Sequence, residues 1–372
     1  MLIAESTKGL GCMYRILLTI SICLTASTGL SRNISDPVYL EPFDRAAGGT
    51  VLTRATRDGI ILGNPALLGL GKDWIRWAGL QMIFQPAGDL DKLNSAMDSA
   101  NGSGDTGEES EESSAIDLSI LDLLDLGFST EISLSMLSQN GGGMFFGDGG
   151  LYLNYDEFGN TGIPGAQGVI DILGGVAISG AFNPVRWLHL GATQKVLQGK
   201  ETNLVLTPLN YESALAEAQD MGSLGQGTGT DVGALIFFQD YTIDYSLGLT
   251  IKNLTPVEFT DNARPKLPQM KNVGLGLTFH TEGNAIHFSG EFNDLDGNSG
   301  ESLARRYRAG VRFLLWQRFG LAVGLYNNKP SYGIKVDAVI VKLGLSYYNQ
   351  VFGTGDQSFE RPEYVFNLAW GI

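Results

Sequence analysis

The chain has 372 residues, 43% of them hydrophobic and 17% charged, which is enough apolar material for a large core in one or two domains. Its glycines, 50 in all, are scattered among aromatics without a triplet period, which excludes collagen. A net charge of −15 excludes the clustered Lys/Arg surface that nucleic acid requires, so no nucleic-acid partner is expected.

Residues 1–29 read as a secretory signal peptide. Lys8 and Arg15 precede "ILLTISICLTASTGLS", a basic start followed by an apolar core and small residues around Ala26 to Gly29. The core is shorter than the roughly 20 apolar residues of a membrane-spanning helix. Met13 is an alternative start, with Tyr14 and Arg15 as a short n-region. Both cysteines, Cys12 and Cys23, lie in this leader, so the exported chain is expected to have neither a disulfide nor a thiol nucleophile. Cys23 follows "ISI" rather than the small residue usual before a lipidated Cys, and it reads as part of the apolar core.

Residues 30–71 form a periplasmic segment that ends in "GIILGNPALLGLG". Pro65 lacks a backbone N–H and would break a central strand ladder. It also pushes Asn64 toward an extended conformation, from which the Asn side chain can close its own turn. Alone, this is an ordinary Asx-Pro turn. The strands downstream of it give it another meaning.

From Trp74 the dominant period is two. "IDYSLGLTIKNL" puts Ile243, Tyr245, Leu247, Leu249 and Ile251 on one face, with Asp244, Ser246, Gly248, Thr250 and Lys252 on the other. About fourteen such candidates occur: 74–85, 128–138, 144–155, 171–182, 187–199, 231–239, 243–252, 271–280, 285–294, 304–315, 318–326, 330–336, 338–349 and 362–372. Their length of roughly ten residues suits a tilted strand crossing a bilayer.

Between the first two lies 86–127, whose residues 86–126 hold eleven acidic side chains and one Lys. Its centre, "NGSGDTGEESEESS", is too polar to fold alone and reads as a solvated outer loop, with divalent-cation binding as the sharper alternative. The other links alternate. They are short after even-numbered strands and long after most odd-numbered ones; the link after the eleventh strand is the exception. An up-and-down membrane barrel sorts its connections in this way, with short periplasmic turns and longer outer loops.

Energetics orients the wall. Arg308 or Arg312 facing lipid would each cost about 2–4 kcal/mol near the midplane. Turned inward, they can approach Glu291 and His287 of the preceding strand, forming a polar network in the lumen. Lys342, Asp244 and Lys252 turn inward by the same logic, leaving Val339, Val341, Leu343 and Leu345 to the bilayer. A water-soluble all-β fold would bury the apolar face instead. The expected fold is therefore all-β: a transmembrane antiparallel barrel over 72–372, in a bacterial outer membrane. A final aromatic strand with Tyr364, Phe366, Leu368, Trp370 and Ile372 on one face suits closure with the first strand and recognition by the outer-membrane insertion machinery.

With that barrel behind it, "AAGGTVLTRATRDGIILGNPALLGLG" (46–71) resembles the N-terminal hatch of FadL-type long-chain fatty-acid transporters and the related PorV/PorQ-like barrels. Asn64, Pro65 and Ala66 match the hatch's Asn-Pro-Ala element and Asp58 its acidic position. Arg54 and Arg57 depart from the usual Ala-rich middle. The resemblance implies a hatch in the lumen of a fourteen-stranded barrel and passive uptake of hydrophobic molecules such as long-chain fatty acids, without a cofactor. It also implies ligand capture by the third and fourth outer loops and lateral exit at a kink in the third strand.

Three local features fit. Loop 200–230 contains "TPLNYESALAEAQDMG", a short amphipathic helix with Leu215, Ala218 and Met221 on one side. Loop 253–270 pairs Val257, Phe259, Leu267 and Met270 with Arg264 and Lys266, apolar contacts plus a cation for a carboxylated lipid. Gly147, Gly149 and Gly150 fall within strand three, where Gly marks a bulge or kink.

Enzyme readings are weaker. The histidines are His189, His280 and His287; His287 shares a face with Ser289 and Glu291 but carries no recognised motif. "DLDGNSGE" (294–301) fails as a calcium loop, because Gly is not sixth and Arg305 occupies the twelfth position. No catalytic or metal residues are assigned. The alternative to transport is a PorV-like barrel that docks secreted or envelope proteins.

Overall fold

The computed structural model describes residues 41–71, 75–87, 127–156, 165–206, 223–352 and 359–371. The leader, the acidic loop and the amphipathic stretch with Leu215 and Ala218 lie outside the described residues.

Fourteen antiparallel strands close into one barrel in sequence order, with β14 returning to β1. They are β1 (Ile75–Ala87), β2 (Gly127–Ser138), β3 (Gly141–Asp156), β4 (Gly165–Val185), β5 (Leu188–Leu206), β6 (Gly225–Gln239) and β7 (Ile243–Lys252). The second half comprises β8 (Met270–Thr281), β9 (Asn284–Phe292), β10 (Tyr307–Leu315), β11 (Phe319–Tyr326), β12 (Lys329–Ala338), β13 (Val341–Phe352) and β14 (Phe359–Gly371). Among the described residues no helix is long and apolar enough to cross a membrane. The strands make the crossing.

The wall has the expected sidedness. Leu343, Leu345, Phe366, Leu368 and Trp370 are exposed on the outside, whereas Asp244, Lys252, Glu291, Arg308 and Arg312 are buried inside. Lys342 also turns in, 2.9 Å from Asp337 and 4.7 Å from the Trp77 ring centroid. An apolar outer face over a polar inner one is the outer-membrane arrangement, since lipid tails cannot solvate the inner set.

Tight turns close the short-link end. At the other end, Asn327 and Asn328 both take positive φ (52° and 62°), the two-residue hairpin geometry that Asn tolerates. Strands β4, β5 and β6 run beyond their expected ends. The Gly-rich 225–229 stretch, expected as loop, is strand because Val257 and Phe259 fill the space a Cβ would take at Gly225, Gly227 and Gly229.

One expectation is corrected. Gly147, Gly149 and Gly150 make no bulge or kink: β3 pairs with β2 and β4 in unbroken register through all three. At Gly150 the physical reason is crowding rather than bending. A Cβ at Gly150 would run into Phe128 and Ser129 of β2.

Candidate functional site

Residues 41–71 line the inside of the barrel as two short helices and a 3-10 turn: α1 (Pro42–Ala46), α2 (Arg57–Leu62) and the turn Pro65–Leu70. Helix α1 lies against β11, β12 and β13, and the 3-10 turn against β4, β5 and β6. Close approach is possible because the wall presents glycine where the segment's backbone touches. A Cβ at Gly310 or Gly324 would strike Ala47, one at Gly248 would strike Leu52, and one at Gly191 would strike Pro65. Gly48 and Gly49 take φ of +74° and +70°, so the turn after α1 needs glycine on its own account as well.

Asn64 caps the 3-10 turn. Its Oδ1 accepts from the Ala66 N–H at 3.1 Å and its Nδ2 donates to the Leu52 carbonyl at 2.7 Å. Pro65 occupies the first helical position, where its missing N–H costs nothing. Asn64, Pro65 and Ala66 are all buried. Asp58 belongs to α2, and its side chain lies outside the described residues.

Several polar residues of the lumen on β9 and β10 hold this segment. In register, Arg308 faces Glu291 and Arg312 faces His287 across β10 and β9. Yet Glu291 accepts from the Leu52 N–H at 2.6 Å, and Arg312 donates to the Thr50 carbonyl and lies 3.2 Å from Asp44. Arg308 sits over the Tyr326 ring, 5.1 Å from its centroid, and donates to the Gly49 carbonyl at 3.4 Å. His287 pairs with Thr278 (2.8 Å) and Thr53 (3.4 Å), while Ser289 donates to Thr50 at 2.7 Å. No nucleophile–base contact therefore links His287 with Ser289.

A second buried network escaped sequence reasoning. Arg45 donates to Gln85 at 3.1 Å and to the Tyr348 hydroxyl at 2.6 Å, with Glu131 at 3.5 Å. Asp44 accepts from the Thr56 N–H and hydroxyl, both at 2.9 Å. Burial pushes the Asp44 carboxyl up to about 6; Arg312 pulls it down and Glu41 adds to the rise. The signal was present: "FDR" places two opposite charges just before the small "AAGG", and β2 sets Ser129, Glu131, Ser133 and Ser135 on its inner face.

Along β3 to β6 the lining is more apolar. Ile60, Ile61, Leu62, Ala66, Leu67 and Leu68 of the segment form one cluster with Met144, Phe146, Leu173, Leu197 and Leu235 of the wall. Val257, Phe259 and Leu267 of loop 253–269 complete it from above, the loop pinned by a Val257–Leu267 bridge. Arg264 corrects an expectation. It is buried against Asp171 of β4 as an ion pair, so it fastens the loop to the wall and is not a free cation for a ligand. Lys266 is the exposed cation of that loop.

These features define a class: a fourteen-stranded outer-membrane β-barrel with an N-terminal segment folded into its lumen. No protein-family model and no curated protein matches the chain. Among solved structures it is similar to the toluene transporter TbuX of Ralstonia pickettii, at 11% identity over 90% of this chain and 98% of that one, with a TM-score of 0.49. The toluene transporter TodX of P. putida is similar at 15% identity, over 90% and 98% of the two chains, TM-score 0.44. The monoaromatic hydrocarbon channel CymD matches at 10% identity, over 90% and 97%, TM-score 0.47.

Proposed function

We propose that the barrel admits hydrophobic small molecules passively across the outer membrane, with residues 41–71 as its hatch. The supporting observation is the apolar lining that runs from Val257, Phe259 and Leu267 under the outer loop down to Ile61, Leu67 and Leu68 of the segment. An apolar solute suits that lining, and the Lys195–Asp231–Lys252 ion pairs beside it satisfy one another. Ligand is taken up at the outer loops, by Val257, Phe259 and Leu267 with Lys266 at the rim and by Leu215 and Ala218 of the neighbouring loop. Movement of the hatch about Asn64 and Pro65, with Asp58 and Ala66 beside them, opens the way. Because β3 is laddered on both sides, the exit runs past the displaced hatch and not through Gly147, Gly149 and Gly150. Long-chain fatty acids and small aromatic hydrocarbons both suit the lining. Transport of this kind needs no cofactor.

A second reading, a barrel that docks secreted or envelope proteins, draws on the Arg45–Glu131–Gln85–Tyr348 network, which fills the lumen beside α1 with buried hydrogen bonds. Mass spectrometry of lipophiles that co-purify from native outer membranes separates the two. Stoichiometric long-chain or aromatic ligand, displaced by an excess of competitor, is the expected result. An empty barrel carrying a reproducible protein partner would sink the transport reading.

A further inference from the structure

We propose that a cleft at the short-turn mouth of the barrel, where Arg54, Arg318 and Lys335 converge, binds an oxyanion: a carboxylate or a phosphate group. The cleft, about 410 Å³, lies between the turns at Gly283 and Gln317 and the foot of β12, with Ala285, Leu314 and Phe319 as its apolar wall. It is far from the outer-loop cluster, at the opposite end of the same strands.

Cations dominate its lining. Three acids are near, and each is engaged: Asp244 by His280 at 2.6 Å, Asp337 by Lys342 at 2.9 Å, and Asp44 by Thr56 and Arg312. Lys335 rests its ammonium 4.4 Å from the Phe43 ring centroid, which holds the charge at the edge of the hollow. Arg318 is exposed on the β10–β11 turn. Arg54 forms no ion pair or hydrogen bond among the described residues. Arg312 repels it and Asp244 and Asp44 attract it without contact, while burial favours its neutral form. Arg54, Arg318 and Lys335 line one hollow, so an anion seated there lies within reach of all three. Two of them are guanidinium groups, whose planar forks match a carboxylate or phosphate. Arg54 is also one of the two residues that set this segment apart from an Ala-rich hatch middle. An oxyanion here gives that departure a use. The site stands apart from the transport reading, since it serves a conducting or a docking barrel equally.

Isothermal titration of the full-length protein in a neutral maltoside detergent tests the site with three probes: decanoate, decanol and inorganic phosphate. Saturable binding of decanoate, with or without phosphate, and much weaker binding of decanol is the expected result. Phosphate binding beside decanoate shows recognition of the oxyanion alone; decanoate without phosphate shows that an apolar body is read as well. Arg318→Gln lies on a turn outside the N-terminal segment and should weaken decanoate about tenfold, the loss expected for one charge-assisted bond. Arg54→Gln should do the same, with Arg54→Lys restoring part of it and heat-modifiable gel mobility reporting a folded barrel. Equal binding of decanol and decanoate, or unchanged decanoate binding in folded Arg318→Gln, would overturn the assignment.

Discussion

The N-terminal segment is held in two unlike ways at its two ends. Beside β11, β12 and β13, α1 is fixed by buried charge: Asp44 near Arg312 at 3.2 Å, and Arg45 among Gln85, Glu131 and Tyr348. Beside β4, β5 and β6, the 3-10 turn and the end of α2 are fixed by apolar packing, glycine-permitted contact, the Asn64 cap and hydrogen bonds to backbone carbonyls from Asn183 (Gly69), Thr193 (Ile61) and Lys252 (Leu62). The charged end is specific and titratable, and fails sharply if one partner is lost. The more apolar end spreads its hold over many small contacts, with no ion pair to the segment among the described residues. A segment built this way would pivot from its apolar end only if its charged end let go.

The largest expected effect is at the charged end. Arg312→Ala leaves Asp44 buried without its cation and should cost about 3–5 kcal/mol of segment docking. Cysteine accessibility along 44–53, in a barrel that still runs as folded, would read the release; protection as in the parent would break the contrast.

pH should act at the same end. The Asp44 carboxyl is raised on docking from 3.8 to about 6, so the docked state holds the proton more tightly than the free one. Docking from this group is therefore strongest below pH 4 and weakens as pH rises from about 4 to about 6, by on the order of 3 kcal/mol in all. Hydrogen exchange of the α1 amides across that window should show protection falling. Asp44→Asn should flatten the response, and an equal response in the variant would assign the titration elsewhere.

At the apolar end, Gly233→Val sharpens the comparison. A Cβ there meets Pro65 and the Asn64 side chain. Overpacking should cost about 1–3 kcal/mol and lift the turn while α1 stays protected. Uniform loss of protection across both ends would show one rigid body instead of two anchors.

The smallest effect is expected for Asn64→Ala, about 1 kcal/mol from a lost cap. Uptake of a hydrophobic solute should change while the barrel remains folded. Unchanged uptake would remove Asn64 from gating.

Much of the barrel was legible in the sequence because a strand in a membrane wall must alternate with period two and cannot put Arg312 or Lys252 into lipid. The strand count, the direction of each face and the β14–β1 closure all rest on that local rule. The Asn64 turn was legible for a similar reason, since Asn-Pro restricts its own backbone. Arg264 was misread because a cation among apolar loop residues looks the same whether it awaits a ligand or pairs with Asp171, some ninety positions earlier. Gly147, Gly149 and Gly150 were misread because a glycine that bends a strand and one that keeps its register leave the same mark.

The sequence by itself determined the alternation and the inside and outside of the strands that carry charge, because these depend on near neighbours and on the solvent each face meets. Only the tertiary structure decided which wall glycine admits which part of the N-terminal segment, which buried cation finds which acid, and that Arg54 finds none among the described residues. Those pairings join residues hundreds of positions apart, as Arg312 to Asp44 does, and barrel closure alone brings them within reach.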